Sequence, residues 1–100
     1  MIVVLTDEAK ADLDRIGDFI AADNPRRAET FVVELLDRCS RLVEMPRAYP
    51  LVARYEQTGV RRRPYMKTTL FFYRVTGTRV EILHILNGAQ DHEPILFPQD

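Results

Sequence analysis

Residues 67–86 read KTTLFFYRVTGTRVEILHIL, and this stretch decides the fold. Two runs rich in β-branched and aromatic residues, Lys67–Val75 and Arg79–Leu86, flank Thr76-Gly77-Thr78. Glycine makes a positive φ cheap, so the three intervening residues predict a turn and the two runs an antiparallel hairpin. Alternation along the first strand puts Leu70 and Phe72 on one face and Phe71, Tyr73 and Val75 on the other. In the second, Val80, Ile82, His84 and Leu86 share a face opposite Leu83 and Ile85. Strands that are apolar on both faces need cover on both.

Upstream, Val60–Pro64 reads as a third strand, and Met45–Gly59, broken by Pro46 and Pro50, as an irregular connection. Before it, Ala28, Val32, Leu35, Cys39 and Leu42 recur at alternating steps of four and three, widened by Phe31, Leu36 and Val43. That is the apolar stripe of a helix. Asn24 is placed to cap it, with Pro25 in a first turn that loses no amide partner. Ala9, Leu13, Ile16 and Ile20 mark an earlier helix that ends at Asp23-Asn24-Pro25. Thr6 supplies its cap, and Asp7 and Glu8 suit the positive end of its dipole. Ile2–Leu5 is long enough for one short strand. The expected class is α+β: an N-terminal strand, an antiparallel two-helix hairpin, then a three-stranded antiparallel sheet. The helices cover one sheet face. The other needs a loop, a second copy or a partner chain, and a partner is the expectation here.

The whole chain, 1–100, is one domain's worth, and 46% hydrophobic content suffices for one core. A formal net charge of −1 argues against nucleic-acid binding through overall basicity. Apolar runs of about five residues fall far short of the roughly 18 that a membrane span needs. Met1–Leu5 runs straight into Asp7 and Glu8, so it reads as part of the fold rather than a signal sequence, and a cytoplasmic location is expected. The single cysteine, Cys39, permits no internal disulfide and sits in a helix stripe as a core residue.

Charge placement is more informative than its total. Residues 1–59 hold eight basic and eleven acidic side chains, whereas Val60–Val80 holds Arg61, Arg62, Arg63, Lys67, Arg74 and Arg79 with no acidic residue. On a strand, Arg61 and Arg63 project one way and Arg62 the other. Tyr65 and Tyr73 lie among these cations, and arginine with interleaved tyrosine suits phosphate contact and stacking, an acidic peptide, or a solvated strand edge. His84 reads as a satisfied histidine in an apolar strand face. Asp7, Asp12, Asp14 and Asp18 read as a solvated helix face. Asp91-His92-Glu93 is too local to converge on one ion, so neither metal nor cofactor is expected. No phosphate loop or nucleophile elbow is present, and no constellation specifies an enzyme.

The chain resembles the RelE/ParE superfamily of type II toxin–antitoxin toxins, and within it the ParE branch. Thr6, Ala9, Asp12, Leu13 and Ile16 are similar to that branch's opening pattern, and Asn24-Pro25 with Ala28 to its helix-to-helix turn. Pro46 and Tyr49-Pro50 resemble its proline-marked stretch, and Val60–Arg63 followed by Leu70–Val75 its central strands. Val80–Asp91 resembles its closing segment, with Gln90 where an arginine is common.

The resemblance implies a growth-arresting toxin that poisons DNA gyrase without being an enzyme itself. It implies silencing by a ParD-like antitoxin with a ribbon-helix-helix half, in a heterodimer or a 2:2 or larger complex. Operator DNA would be touched only through the antitoxin, and no membrane is involved. Target contacts are expected at Arg61, Arg62, Arg63, Tyr65, Lys67, Arg74, Asn87, Gln90 and Asp91. Antitoxin contacts are expected at Phe31, Leu35, Phe71, Phe72, Tyr73 and Ile85. Two alternatives remain. A RelE-like mRNA endonuclease would use Arg61, Arg63, Lys67, Tyr73 and His84, but Asn87–Asp100 lacks the Lys, Arg or Tyr that such enzymes place there. A degenerate toxin would act only as an antitoxin-binding module.

Overall fold

The computed structural model describes residues 1–98. Its elements are β1 (Ile2–Leu5), α1 (Asp7–Ala21), α2 (Pro25–Ser40), β2 (Val60–Tyr65), β3 (Thr69–Thr76), β4 (Arg79–Asn87) and a short α3 (Glu93–Leu96). The α+β class and the element order agree with the sequence. β1 adds a fourth strand: the sheet order is β1-β4-β3-β2, with β1 parallel to β4 and the other pairs antiparallel. In sequence the helical hairpin comes between β1 and the other strands, and such a crossover is what a parallel neighbour needs.

Both helices start as their caps dictate. The Thr6 hydroxyl accepts from the Ala9 N–H at 3.1 Å, and Asn24 Oδ1 accepts from the Arg27 N–H at 3.1 Å. The turn between β3 and β4 is tighter than expected, because Thr76 pairs with Arg79 and only Gly77 and Thr78 lie between. Gly77 takes φ 56°, the conformation that a two-residue hairpin asks of its first turn position. Lys67 and Thr68 fall outside β3. Met66 turns the chain with φ 56°, a left-handed conformation that costs a side-chain-bearing residue about 1 kcal/mol or more.

The strict alternation expected for β4 fails at one point. Phe72 pairs with His84 but Tyr73 pairs with Ile82, so Leu83 is an extra residue, a β-bulge. Val80 and Ile82 therefore share the helix-facing core with Ile85, while Leu83 and Leu86 belong to the opposite face. Helix α1 is fastened to this bulge at two points. The Thr6 hydroxyl shares its proton between the carbonyls of Ile82 and Leu83, at 2.9 and 3.0 Å. Asp12 Oδ2 accepts the Ile85 N–H and the His84 Nδ1–H, each at 2.8 Å. Asp12 is thus buried, in contrast to exposed Asp7, Asp14 and Asp18 and against the expectation of a solvated face. A carboxylate is kept there because the bulge presents it with donors.

The main core lies between the hairpin and the sheet, with Leu35, Phe71, Tyr73, Ile82 and Ile85 at 0% exposure. Burying a Phe or Leu side chain is worth about 1.5–3 kcal/mol. The second face carries Val60, Leu70, Phe72 and Leu86, and the chain covers them itself. Val52 from the long connection and Leu96 and Phe97 from the C-terminal turn pack on them. Phe97 is stacked on Tyr55 with centroids 4.0 Å apart, and the Tyr55 hydroxyl donates to Glu93 at 3.1 Å. A loop, then, does what a partner chain was expected to do. Cys39 is 1% exposed, and burial pushes its thiol up to about 12 although Arg63 opposes the shift. At pH 8 the thiol is overwhelmingly protonated. Native protein should therefore resist iodoacetamide at pH 8 and become alkylated only in denaturant, as mass spectrometry would show; labelling of the native fold within minutes would contradict this packing.

Candidate functional site

Strand geometry divides the arginine triplet. Arg61 and Arg63 turn to the helix side, where the chain consumes them. The Arg61 guanidinium donates to the carbonyl of Tyr49 at 2.7 Å and to that of Arg47 at 3.3 Å. The Arg63 guanidinium lies 5.2–5.7 Å from the ring centroids of Tyr49, Tyr65 and Phe71, and donates to the Pro64 carbonyl. Tyr65 is buried, its hydroxyl donating to Glu34 at 3.2 Å. A hydrogen bond from Arg27 holds the Glu34 carboxyl below its ordinary pKa, against the opposing effect of desolvation. Arg62 alone of the three projects to the opposite face.

There it joins a cleft of about 610 Å³ at the β2–β3 end of the sheet. Arg62, Met66 and Lys67 line it on one side, and Gly88 and Gln90–Glu93 of the closing segment on the other, above buried Leu70 and Phe72. Short hydrogen bonds fold that segment. Gln90 Oε1 accepts the Asn87 N–H at 3.0 Å, and Asn87 Oδ1 accepts the Ala89 N–H at 2.8 Å. His92 Nε2 donates to the Asn87 carbonyl at 3.0 Å, and its ring rests 5.0 Å from that of Phe72. A carbonyl only accepts, so Nε2 carries the proton and Nδ1 keeps its lone pair when the ring is neutral. Among the described residues, Arg62, Lys67 and Asp91 take part in no ion pair, whereas Arg74 meets Glu81 at 3.6 Å and Arg54 meets Glu93 at 3.7 Å.

A second groove, of about 500 Å³, opens on the other side of the same strand ends. Ile16, Ile20, Phe31 and Leu86 line it, and Phe19 stands on its rim 80% exposed. Thr68, Thr69 and Gln90 border both hollows.

Of the expected target contacts, Arg62, Lys67, Gln90 and Asp91 meet in the cleft, while Asn87 borders the groove and Arg61, Arg63, Tyr65 and Arg74 lie elsewhere. The expected antitoxin contacts fall mostly inside the fold of the free chain. Leu35, Phe71, Tyr73 and Ile85 are enclosed by the chain's own core, Phe72 is 1% exposed beneath the cleft, and only Phe31 borders a groove. The residues set out for a nuclease do not converge. His84 is held by Asp12, Lys67 is in the cleft, and the Tyr73 hydroxyl donates to the Pro46 carbonyl at 2.8 Å. Phe19 and Met66, both exposed at this end, were missed; the available signal was an apolar residue off the helix stripe and another in a turn. Among the described residues no three His, Cys, Asp or Glu side chains are placed to hold a metal ion, and no helix is long and apolar enough to cross a membrane.

Residues 3–92 match the family described as the ParE toxin of the type II toxin–antitoxin system parDE. The chain belongs to that family. Its fold is also similar to a solved structure of the chromosomal ParDE toxin–antitoxin system from P. aeruginosa. The two agree with a TM-score of 0.74 and 26% identity over 87% of this chain and 95% of that one. No curated protein sequence matches. Membership in the ParE family gives structural meaning to the opening pattern: Thr6 and Asp12 fasten the bulge, while Ala9 and Leu13 fill the core beside them.

Proposed function

We propose that this ParE-family toxin arrests growth by poisoning DNA gyrase, without catalysing a reaction of its own, and that an antitoxin encoded beside it neutralises it. The observation that carries the choice of target is the division of the cationic residues. Cutting RNA requires cations to hold the scissile phosphate and groups within about 3 Å to move protons. Here Arg61 and Arg63 are bound to the helix-side core and connection, Tyr73 is buried, and His84 is fixed on the bulge. The exposed cleft is one of mixed charge, suited to a protein.

The antitoxin is ParD-like, and its apolar segment takes the Phe19 groove in place of the enclosed aromatic residues first expected to receive it. That groove shares a border with the cleft, so an occupied groove also crowds the target-facing wall. The test is a supercoiling reaction with purified gyrase, ATP and relaxed plasmid, titrated with folded toxin. The expected result is loss of supercoiling with accumulation of linear DNA, reversed by antitoxin. No effect on gyrase, together with cleavage of ribosome-bound mRNA, would replace this reading with the nuclease.

A further inference from the structure

The cleft has walls of opposite charge. Arg62 and Lys67 stand on the β2–β3 side, and Asp91 and Glu93 on the closing-segment side. The charges of Arg62, Lys67 and Asp91 are unmatched within the described residues, and the cleft brings these three together. A nucleic-acid strand carries one sign of charge throughout. Threaded here, its phosphates would gain from one wall and be repelled by the other, and like-charge juxtaposition discriminates strongly against a wrong partner. Between the walls the lining mixes Thr68, Gln90 and His92 with half-buried Val52 and Leu96, over Leu70 and Phe72 that the chain itself buries. At the mouth stands Met66, 63% exposed. Its left-handed φ is a strained conformation, of the kind found at ligand-facing turns. A flexible thioether adapts to protein surfaces, where methionine is enriched.

We infer that the cleft holds a protein segment of the gyrase target, in which an acidic residue faces Arg62 and Lys67 and a basic residue faces Asp91. This rests on the reading of gyrase as the target and adds the chemistry of the contact. The segment's two charges fix the direction in which it lies. Electrostatic register of this kind contributes more to specificity than to affinity.

The sign of one substitution tests it. Asp91 is exposed and Asp91→Arg disturbs no hydrogen bond among the described residues, so the variant should keep the wild-type melting temperature. For a mixed-charge protein segment, Asp91→Arg weakens binding to intact gyrase at least tenfold, as Arg62→Glu does from the opposite wall. For a polyanion the two substitutions act in opposite directions, and Asp91→Arg tightens binding. The measurement is the equilibrium affinity of the full chain for purified gyrase, with and without DNA, beside its affinity for a labelled single-stranded RNA and DNA 20-mer. Weakening by both substitutions, with neither oligonucleotide bound more tightly than gyrase, is the expected result. Unchanged or tighter binding by Asp91→Arg overturns the inference, as does a loss confined to antitoxin binding. Wild-type protein that neither binds nor inhibits gyrase would instead overturn the reading of the target, so the two failures are distinct.

Discussion

Replacing Asp12 with alanine is expected to lower unfolding stability by about 3 kcal/mol, the largest effect predicted for any residue outside the apolar core. The Ile85 N–H and the His84 Nδ1–H both end on one oxygen of this carboxylate. Asp12 is 4% exposed, so water cannot freely replace it. Each orphaned buried donor costs about 1–3 kcal/mol. The Arg15 contact at the other oxygen, 2.9 Å, adds little because Arg15 is half exposed. A chain of this length holds about 5–15 kcal/mol in all. The variant should still fold, with a midpoint lowered by roughly 12–24 °C at about 4–8 °C per kcal/mol. Asp12→Asn should cost about half as much, since a carbonyl in the place of Oδ2 can still accept from both Ile85 and His84, and only the amide NH2 facing Arg15 is mismatched. Urea melts of the two variants and of His84→Ala and the double substitution would decide it. A loss below about 0.5 kcal/mol for Asp12→Ala would mean that the bulge does not depend on the carboxylate.

That residue also shows where sequence reading runs out. Helix stripes, caps and the hairpin were legible because each depends on neighbours within a few positions: Thr6 with Ala9, Asn24 with Arg27, Gly77 in its turn. An aspartate among other aspartates on α1 reads as solvated unless its partner is known, and that partner is an amide 73 residues away. The bulge that frees the amide is itself silent. In a strand apolar on both faces, an extra residue changes which side chains face the helices without changing the pattern of residue types. The same double apolarity made a partner chain look necessary, when Leu96 and Phe97, from a turn too short to register as an element, lie on the second face. Alternation correctly separated Arg62 from Arg61 and Arg63. It had no means of telling which side faces the helices, and hence which arginine stays free.

That division leads to the second large effect. Reversing the two cations of the cleft, Arg62→Glu with Lys67→Glu, should reduce growth arrest on induction by at least about 100-fold in plating efficiency and leave the melting temperature within about 2 °C of wild type. Neither side chain is part of an ion pair among the described residues, so the native fold loses nothing specific, while losing a charged contact with a partner typically costs about 2–5 kcal/mol. Substituting Arg61 and Arg63 by alanine should do the reverse. Arg61 ties β2 to the connection through the Tyr49 carbonyl, and Arg63 is packed against three aromatic rings. A cation–π contact contributes about 0.5–2 kcal/mol and a hydrogen bond from a charged donor about 1.5–3 kcal/mol. Together their loss should lower the midpoint by roughly 10 °C or more. Protein that is still folded should keep its activity per molecule, measured as gyrase inhibition below the transition. If Arg61→Ala with Arg63→Ala abolished inhibition in fully folded protein while the cleft reversal had no effect, the acting surface would be on the helix side of the sheet. The free groove beside Phe19 would then be the place to look for the target instead of the antitoxin.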